Sequence, residues 1–146
     1  MEKIAWIGYS NANLAQATVL EDDIGVKVDK LFDAGKGIEA VKNIQYCSII
    51  VQDTCPAGNA NVPSEMLRTP YGAACYVIGQ IREGINKETP VLVHLIQENL
   101  TPKKNYLGAG ATGILDRGQI KNYRLDYFVN EVKGCLKFLF PPVYSD

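Results

Sequence analysis

The sequence predicts an α/β domain, a doubly wound parallel sheet of five strands alternating with five helices. Three observations predict it. "CSIIVQD" (47–53) and "PVLVHLI" (90–96) are near-continuous apolar runs, as strands covered on both faces of a parallel sheet must be. Short apolar runs alternate with longer segments whose apolar residues recur at helical spacing. No internal repeat or low-complexity tract interrupts that alternation.

The elements follow in order. "KIAWIGY" (3–9) is the first strand, and "NANLAQATVLEDD" (11–23) a helix capped by Asn11 or Asn13 and stopped by Gly25. "VKVDKLF" (26–32) alternates apolar and polar residues, as a strand with one wetter face does. "GIEAVKNI" (37–44) is a short helix, and the central strand 47–53 follows it. Residues 54–70 are a long irregular connection before a helix over 71–85. After the strand at 90–96, Thr101 caps a helix with Pro102 at its first position. "TGIL" (112–115) is the fifth strand. The last helix, 122–140, carries Leu125, Phe128, Val129, Val132, Cys135 and Leu136 on one stripe. Residues 1–140 thus form a single domain, with 141–146 a tail or the start of a linker to a further, covalently attached domain.

Composition narrows the function classes. The chain has 146 residues, 21% of them charged, and a net charge of −1 with both signs interspersed, which argues against direct nucleic-acid binding. Its apolar runs are too short to cross a bilayer, and the amino terminus opens as a strand with no secretion signal, so a reducing cytoplasm is expected. The four cysteines form no CxxC pair; Cys47, Cys75 and Cys135 are expected to be buried, and Cys55, in a loop, to be the reactive one. His94 is the only histidine, which excludes two-histidine metal sites, and inside an apolar strand it is expected to be structural. Neither a Ser–His–Asp nor a Cys–His arrangement can be assembled around it, so an enzyme is not expected.

In such sheets sites lie beyond the carboxyl ends of the strands. Asp53 ends the central strand with Pro56 close behind, and "GAGATGILDRG" (108–118) sits at the fifth strand. With "PVLVHLI" between them, these stretches resemble a response-regulator receiver domain of two-component signalling, over Lys3 to Phe140. The resemblance implies the flavodoxin-like (βα)5 fold with strand order 2-1-3-4-5. It also implies a chemistry: two acids after the first strand hold Mg²⁺ together with a phosphoacceptor aspartate after the third. A hydroxyl residue after the fourth strand and a lysine after the fifth bind the phosphoryl oxygens. The metal offsets the repulsion between an anionic nucleophile and an anionic phosphate.

Onto those positions fall Gly8 and Tyr9 for the acids, Asp53 for the phosphoacceptor, Leu95 for the hydroxyl and Arg117 for the lysine; Ile114 stands where the family has a switching aromatic. The expectation is a degenerate, or pseudo-, receiver without Mg²⁺, in which Asp53 is structural and pairs with Arg117. Such a domain would work as a regulatory interaction or dimerisation module feeding an output such as transcription. Its surface would be the face of the fourth helix, fifth strand and fifth helix, with Lys103, Lys104, Tyr106, Tyr123, Arg124 and Tyr127. The connection 54–70 is longer than the family's and, with Asn59, Asn61 and Glu65, is expected to act as a lid over the site or as a partner surface. Two other readings stand beside this one. Asp53 could be an unorthodox phosphoacceptor, with Arg117 as phosphate ligand and Glu65 completing a Mg²⁺ site. Or "GYSNAN" after the first strand could help sense a small molecule at the sheet edge.

Overall fold

The two central strands set the architecture. In the computed structural model, which describes residues 2–69, 71–95, 103–116 and 125–136, β3 (Ser48–Gln52) and β4 (Val91–Leu95) are buried along their whole length. β1 (Lys3–Ile7) lies beside β3, and β2 (Lys27–Leu31), in which Val28 is the buried residue, takes one edge. β5 (Gly113–Asp116) takes the other. All neighbours are parallel, and the order is β2-β1-β3-β4-β5, as expected. The order reverses direction after β1, so the crevice at the carboxyl ends of β1 and β3 is the position where such sheets hold their sites.

Helices cover both faces. α2 (Ala34–Asn43), α3 (Gly72–Ile81) and α4 (Lys103–Ala109) enclose a core of Ile7, Ile49, Val51, Val77, Ile78, Val93 and Leu95. The opposite face, under α1 (Leu14–Val19) and α5 (Leu125–Leu136), is more aromatic. There Trp6 stacks on Phe128 of α5 with ring centroids 5.5 Å apart. Phe128, Val129 and Val132, the described part of the expected stripe, are buried in that layer.

Local chemistry explains where the boundaries differ from expectation. α2 begins three residues earlier than its apolar spacing suggests, because Asp33 caps it, its Oδ1 accepting the Lys36 N–H at 2.9 Å. The first helical segment is not one helix. A 3₁₀ turn (Asn11–Asn13) leads into α1, and a π turn (Leu20–Ile24) ends it at Gly25, left-handed at φ 79°. Ser10 is the cap, its N–H donating to Asn13 Oδ1 at 3.0 Å. The cap at Thr101 and Pro102 lies outside the described residues.

The end of the sheet away from the crevice is closed by two polar hubs. Asn86, fully buried, donates to the Val41 and Ile44 carbonyls at 2.7 Å each and accepts from the Tyr46 N–H at 2.9 Å. Arg82 donates to the carbonyls of Gly110, Lys87 and Thr89 and to the Thr112 hydroxyl, tying the end of α3 to the loops before β4 and β5. These bonds satisfy backbone carbonyls that the tight connections would otherwise bury unpaired. No helix among the described residues is long and apolar enough to cross a membrane.

Candidate functional site

The crevice is built from the ends of β1, β3 and β4. β1 ends by turning toward β2: the N–H groups of Gly8 and Tyr9 both donate to the Leu31 carbonyl, at 2.7 and 3.1 Å. That turn puts Gly8 at φ +84°, where a side chain is strained. A Cβ at this position would also sit 2.8 Å from the Gln52 Cβ and 3.0 Å from the Cys55 Cβ. Residue 8 is therefore a glycine by conformation and by space. Tyr9 is buried beside it, edge-on to Trp6 at 5.8 Å and to Phe32 at 6.1 Å.

Asp53 is only 8% exposed. Its N–H donates to the His94 carbonyl at 3.0 Å, so its backbone is locked to β4. Its Oδ1 accepts the Thr54 N–H at 2.8 Å and the Gln52 Nε2 at 3.3 Å. Leu95, at the hydroxyl position, is completely buried and offers only hydrocarbon. Ile114 packs half-buried against the α2–α3–α4 side of the core. Arg117 lies outside the described residues.

Beneath Asp53 is a network the sequence reading missed. Gln52, 2% exposed, donates from Nε2 to two acceptors, Asp53 Oδ1 and, at 3.1 Å, the His94 carbonyl. Its Oε1 faces Trp6 Nε1 at 3.2 Å and His94 Nδ1 at 3.1 Å. An indole N–H only donates, so the amide orientation is fixed, and His94 must carry its proton on Nδ1. The His94 ring stands edge-on to Trp6 at 5.7 Å and to Phe128 at 5.8 Å. His94 is thus structural, as expected. The signal for the network was present: a glutamine closing an otherwise apolar central strand must find buried partners.

Magnesium asks for a near-octahedral set of oxygen ligands, usually one or two carboxylates completed by waters and substrate phosphates. Here Gly8 has no room for a carboxylate, Tyr9 is taken up by ring contacts, and Asp53 is the carboxylate found among the described residues at the ends of β1, β3 and β4. Among the described residues no three His, Cys, Asp or Glu side chains are grouped so as to hold a metal. The donor set among the described residues does not fit the ion.

Two expectations are corrected. Cys55 is not the reactive thiol: it is 4% exposed, and burial, reinforced by the negative charge of Asp33, pushes it up to about 12. Tyr106 is not on the exposed face: it is 1% exposed, turned into the core against Tyr71 with centroids 6.1 Å apart. The helical turn places it opposite its neighbours, so Lys104 is exposed and Lys103 half-buried, with Leu107 50% exposed. Tyr123, Arg124 and the side chain of Tyr127 lie outside the described residues.

The long connection, expected as a lid or a partner surface, starts at the crevice, where Cys55 walls Gly8. It docks on α2 and α3, with Pro56 accepting the Ala34 N–H at 2.8 Å. Gly58, left-handed at φ 60°, rides over the Asp33 carboxylate, where a Cβ would collide. Asn59 rests on Gly35 of α2, and the Met66 carbonyl packs on Gly72 at the start of α3. Asn59, Asn61 and Glu65 are exposed, and Asn59 and Asn61 line a cleft between α2 and α3.

No family model matches the chain, and no curated protein matches it. Solved structures do. A CheY-like response regulator receiver domain protein from Methanospirillum hungatei is 13% identical, with a TM-score of 0.70 over 94% of this chain and 95% of that one. The receiver domain of a sensor histidine kinase from Pseudomonas aeruginosa, solved with magnesium coordinated in its active-site cleft, is 12% identical, with a TM-score of 0.69 over 92% of this chain and 97% of that one. A chemotaxis response regulator of Vibrio cholerae is 18% identical, with a TM-score of 0.65 over 93% and 99%.

Proposed function

We propose that this chain, whose fold is that of response-regulator receiver domains, is a pseudo-receiver: a regulatory interaction module that signals without the Mg²⁺-dependent phosphorylation of Asp53. One observation carries the reading. The residue at the first metal-ligand position is a left-handed glycine walled in by Gln52 and Cys55, so the pocket is closed to a carboxylate by its backbone. The buried Leu95 and the Gln52 hydrogen bond to Asp53 support it, since both complete a packed site that asks for no incoming phosphoryl group.

The working surface is then the face of α4, β5 and α5. Leu107 and the Lys103–Lys104 pair give that face an exposed apolar residue beside two cations, a combination suited to a protein partner or a second copy of the chain. A covalently linked output domain after residue 140 and a cytoplasmic location are consistent with this role.

The test is an amide NMR titration with Mg²⁺ and then beryllofluoride, an acyl-phosphate mimic. A flat response at residues 8–9, 53–54 and 95 in a folded sample is the expected result. Saturable shifts centred on Asp53 would make it a phosphoacceptor and overturn the reading.

A further inference from the structure

The insertion builds a cleft of its own. Between residues 59–61, α2 and α3 lies a cavity of about 320 Å³, at the small end of the range for ligand sites. Its walls are fixed by the insertion's contacts with Ala34, Gly35 and Gly72, and Val62 in the same segment is buried.

α2 contributes one face to this cleft. Gly35, Ile38, Glu39, Lys42 and Asn43 recur at helical spacing, and α3 answers with Tyr76 and Gln80, one turn apart. Asn61 closes the third side. The chemistry of this lining is specific. Glu39 and Lys42, three residues apart on one helix face, are neighbours of opposite sign, both exposed. Yet the ion pair found among the described residues is Lys27–Asp29, and Glu39 and Lys42 are not paired with each other. The Asn43 amide nitrogen is committed to the Glu39 carbonyl at 2.8 Å, which leaves its oxygen as an acceptor. One cation, one anion and several carboxamides therefore share a small polar cleft. The complementary ligand is small and carries both charges with no net charge.

We propose that the α2–α3 cleft binds a zwitterionic free amino acid, its carboxylate on Lys42 and its ammonium on Glu39, with Asn61, Gln80 and Tyr76 around its side chain. Occupancy would tie α2, α3 and the insertion together, making the interaction module responsive to an amino acid. The proposal is independent of the chemistry of Asp53. The beryllofluoride titration reads amides at the strand ends, this one reads amides along α2 and the insertion, and either can fail without the other.

The experiment is a backbone amide titration of the full chain with L-alanine, L-glutamine, L-leucine and L-glutamate at millimolar concentrations. N-acetyl-L-alanine and L-alaninamide, each lacking one of the two charges, are the controls. Expected are saturable shifts at Gly35, Asn43, Ala60 and Asn61 with at least one amino acid and none with the controls. Lys42→Met and Glu39→Gln, both surface changes, should each weaken binding roughly tenfold with an unchanged circular dichroism spectrum. The absence of saturable shifts across the panel overturns the proposal. So do controls that bind as well as the amino acids, and so does unchanged affinity in both variants.

Discussion

Placing an aspartate at residue 8 is the sharpest challenge to the pocket described above. If the missing acid were merely a missing charge, Gly8→Asp would move the chain toward a metal-binding receiver. The structure predicts damage instead. An L-residue held near φ +84° costs about 1–2 kcal/mol, somewhat less for Asp than for other side chains. The new Cβ, 2.8 Å from the Gln52 Cβ and 3.0 Å from the Cys55 Cβ, adds an overpacking cost. For a buried site that cost is about 1–3 kcal/mol, giving a total of about 2–5 kcal/mol. Urea unfolding followed by the fluorescence of Trp6, the chain's one tryptophan, should register a midpoint lower by about 1–2.5 M at a mid-range slope of about 2 kcal/mol/M. Gly8→Ala should lose most of the same stability, because backbone and Cβ carry most of the penalty. Added Mg²⁺ should restore none of it, since stabilisation by a ligand requires binding to the folded state. A Gly8→Asp protein as stable as the parent, and further stabilised by Mg²⁺, would refute the reasoning.

Three further outcomes are expected. Gln52→Leu strands the Trp6 indole N–H and the His94 Nδ1–H in the core, so it should cost about 2–4 kcal/mol and alter Trp6 emission in the folded state, both read in one urea titration. Arg82→Ala, which frees the carbonyls of Gly110, Lys87 and Thr89, should cost about 2–4 kcal/mol. Arg82→Lys should recover little of it, because an ammonium cannot span the same fork, and faster amide exchange at Gly110 and Thr112 would report the loss. Stability should also fall on the alkaline side. Burial pushes Cys47 up to about 11 and Cys55 up to about 12, so both thiols hold their protons more tightly folded than unfolded. The advantage is complete below the ordinary thiol value near 9 and is lost as pH rises through about 11 and about 12. Tyr46, raised by burial and by donating to Asp29, acts in the same direction. Cys55→Ala should flatten the urea-midpoint profile above pH 9.

The elements that could be read from the chain were those in which one force dominates. β3 and β4 are buried on both faces, so their apolar runs announced them. β2 announced itself by the apolar–polar start of "VKVDKLF", and its polar residues mark it as an edge strand with only Val28 buried. The start of α2 was hidden because Gly35 and Gly37 weaken the helical pattern there. Those glycines are required by Asn59 and by Ile7, contacts far away in sequence. The cap at Asp33 is a local signal, an acid three residues before the Lys36 N–H that it accepts. At the site, the residue types at 8, 9, 53 and 95 were legible, but why residue 8 is a glycine was not, since it depends on the Gln52 and Cys55 side chains arriving from β3 and the loop after it. Tyr106 and Cys55 were misjudged for a related reason. A tyrosine in a polar helix and a cysteine in a loop are exposed by their local setting and buried by tertiary packing. The course of the insertion was illegible, because glycines in three separate segments, at 35, 58 and 72, receive it.

The crowding at Gly8 also bears on how the chain can change over time. A carboxylate there needs Gln52 and Cys55 trimmed first, yet Gln52 is the partner of Trp6, His94 and Asp53. Trimming Gln52 before residue 8 changes would orphan those groups, and changing residue 8 before Gln52 would produce the clash. Each single change therefore carries a stability cost that only the other would relieve. Residue 8 and its two neighbours are thus energetically coupled: the tolerance of any one position depends on what stands at the others.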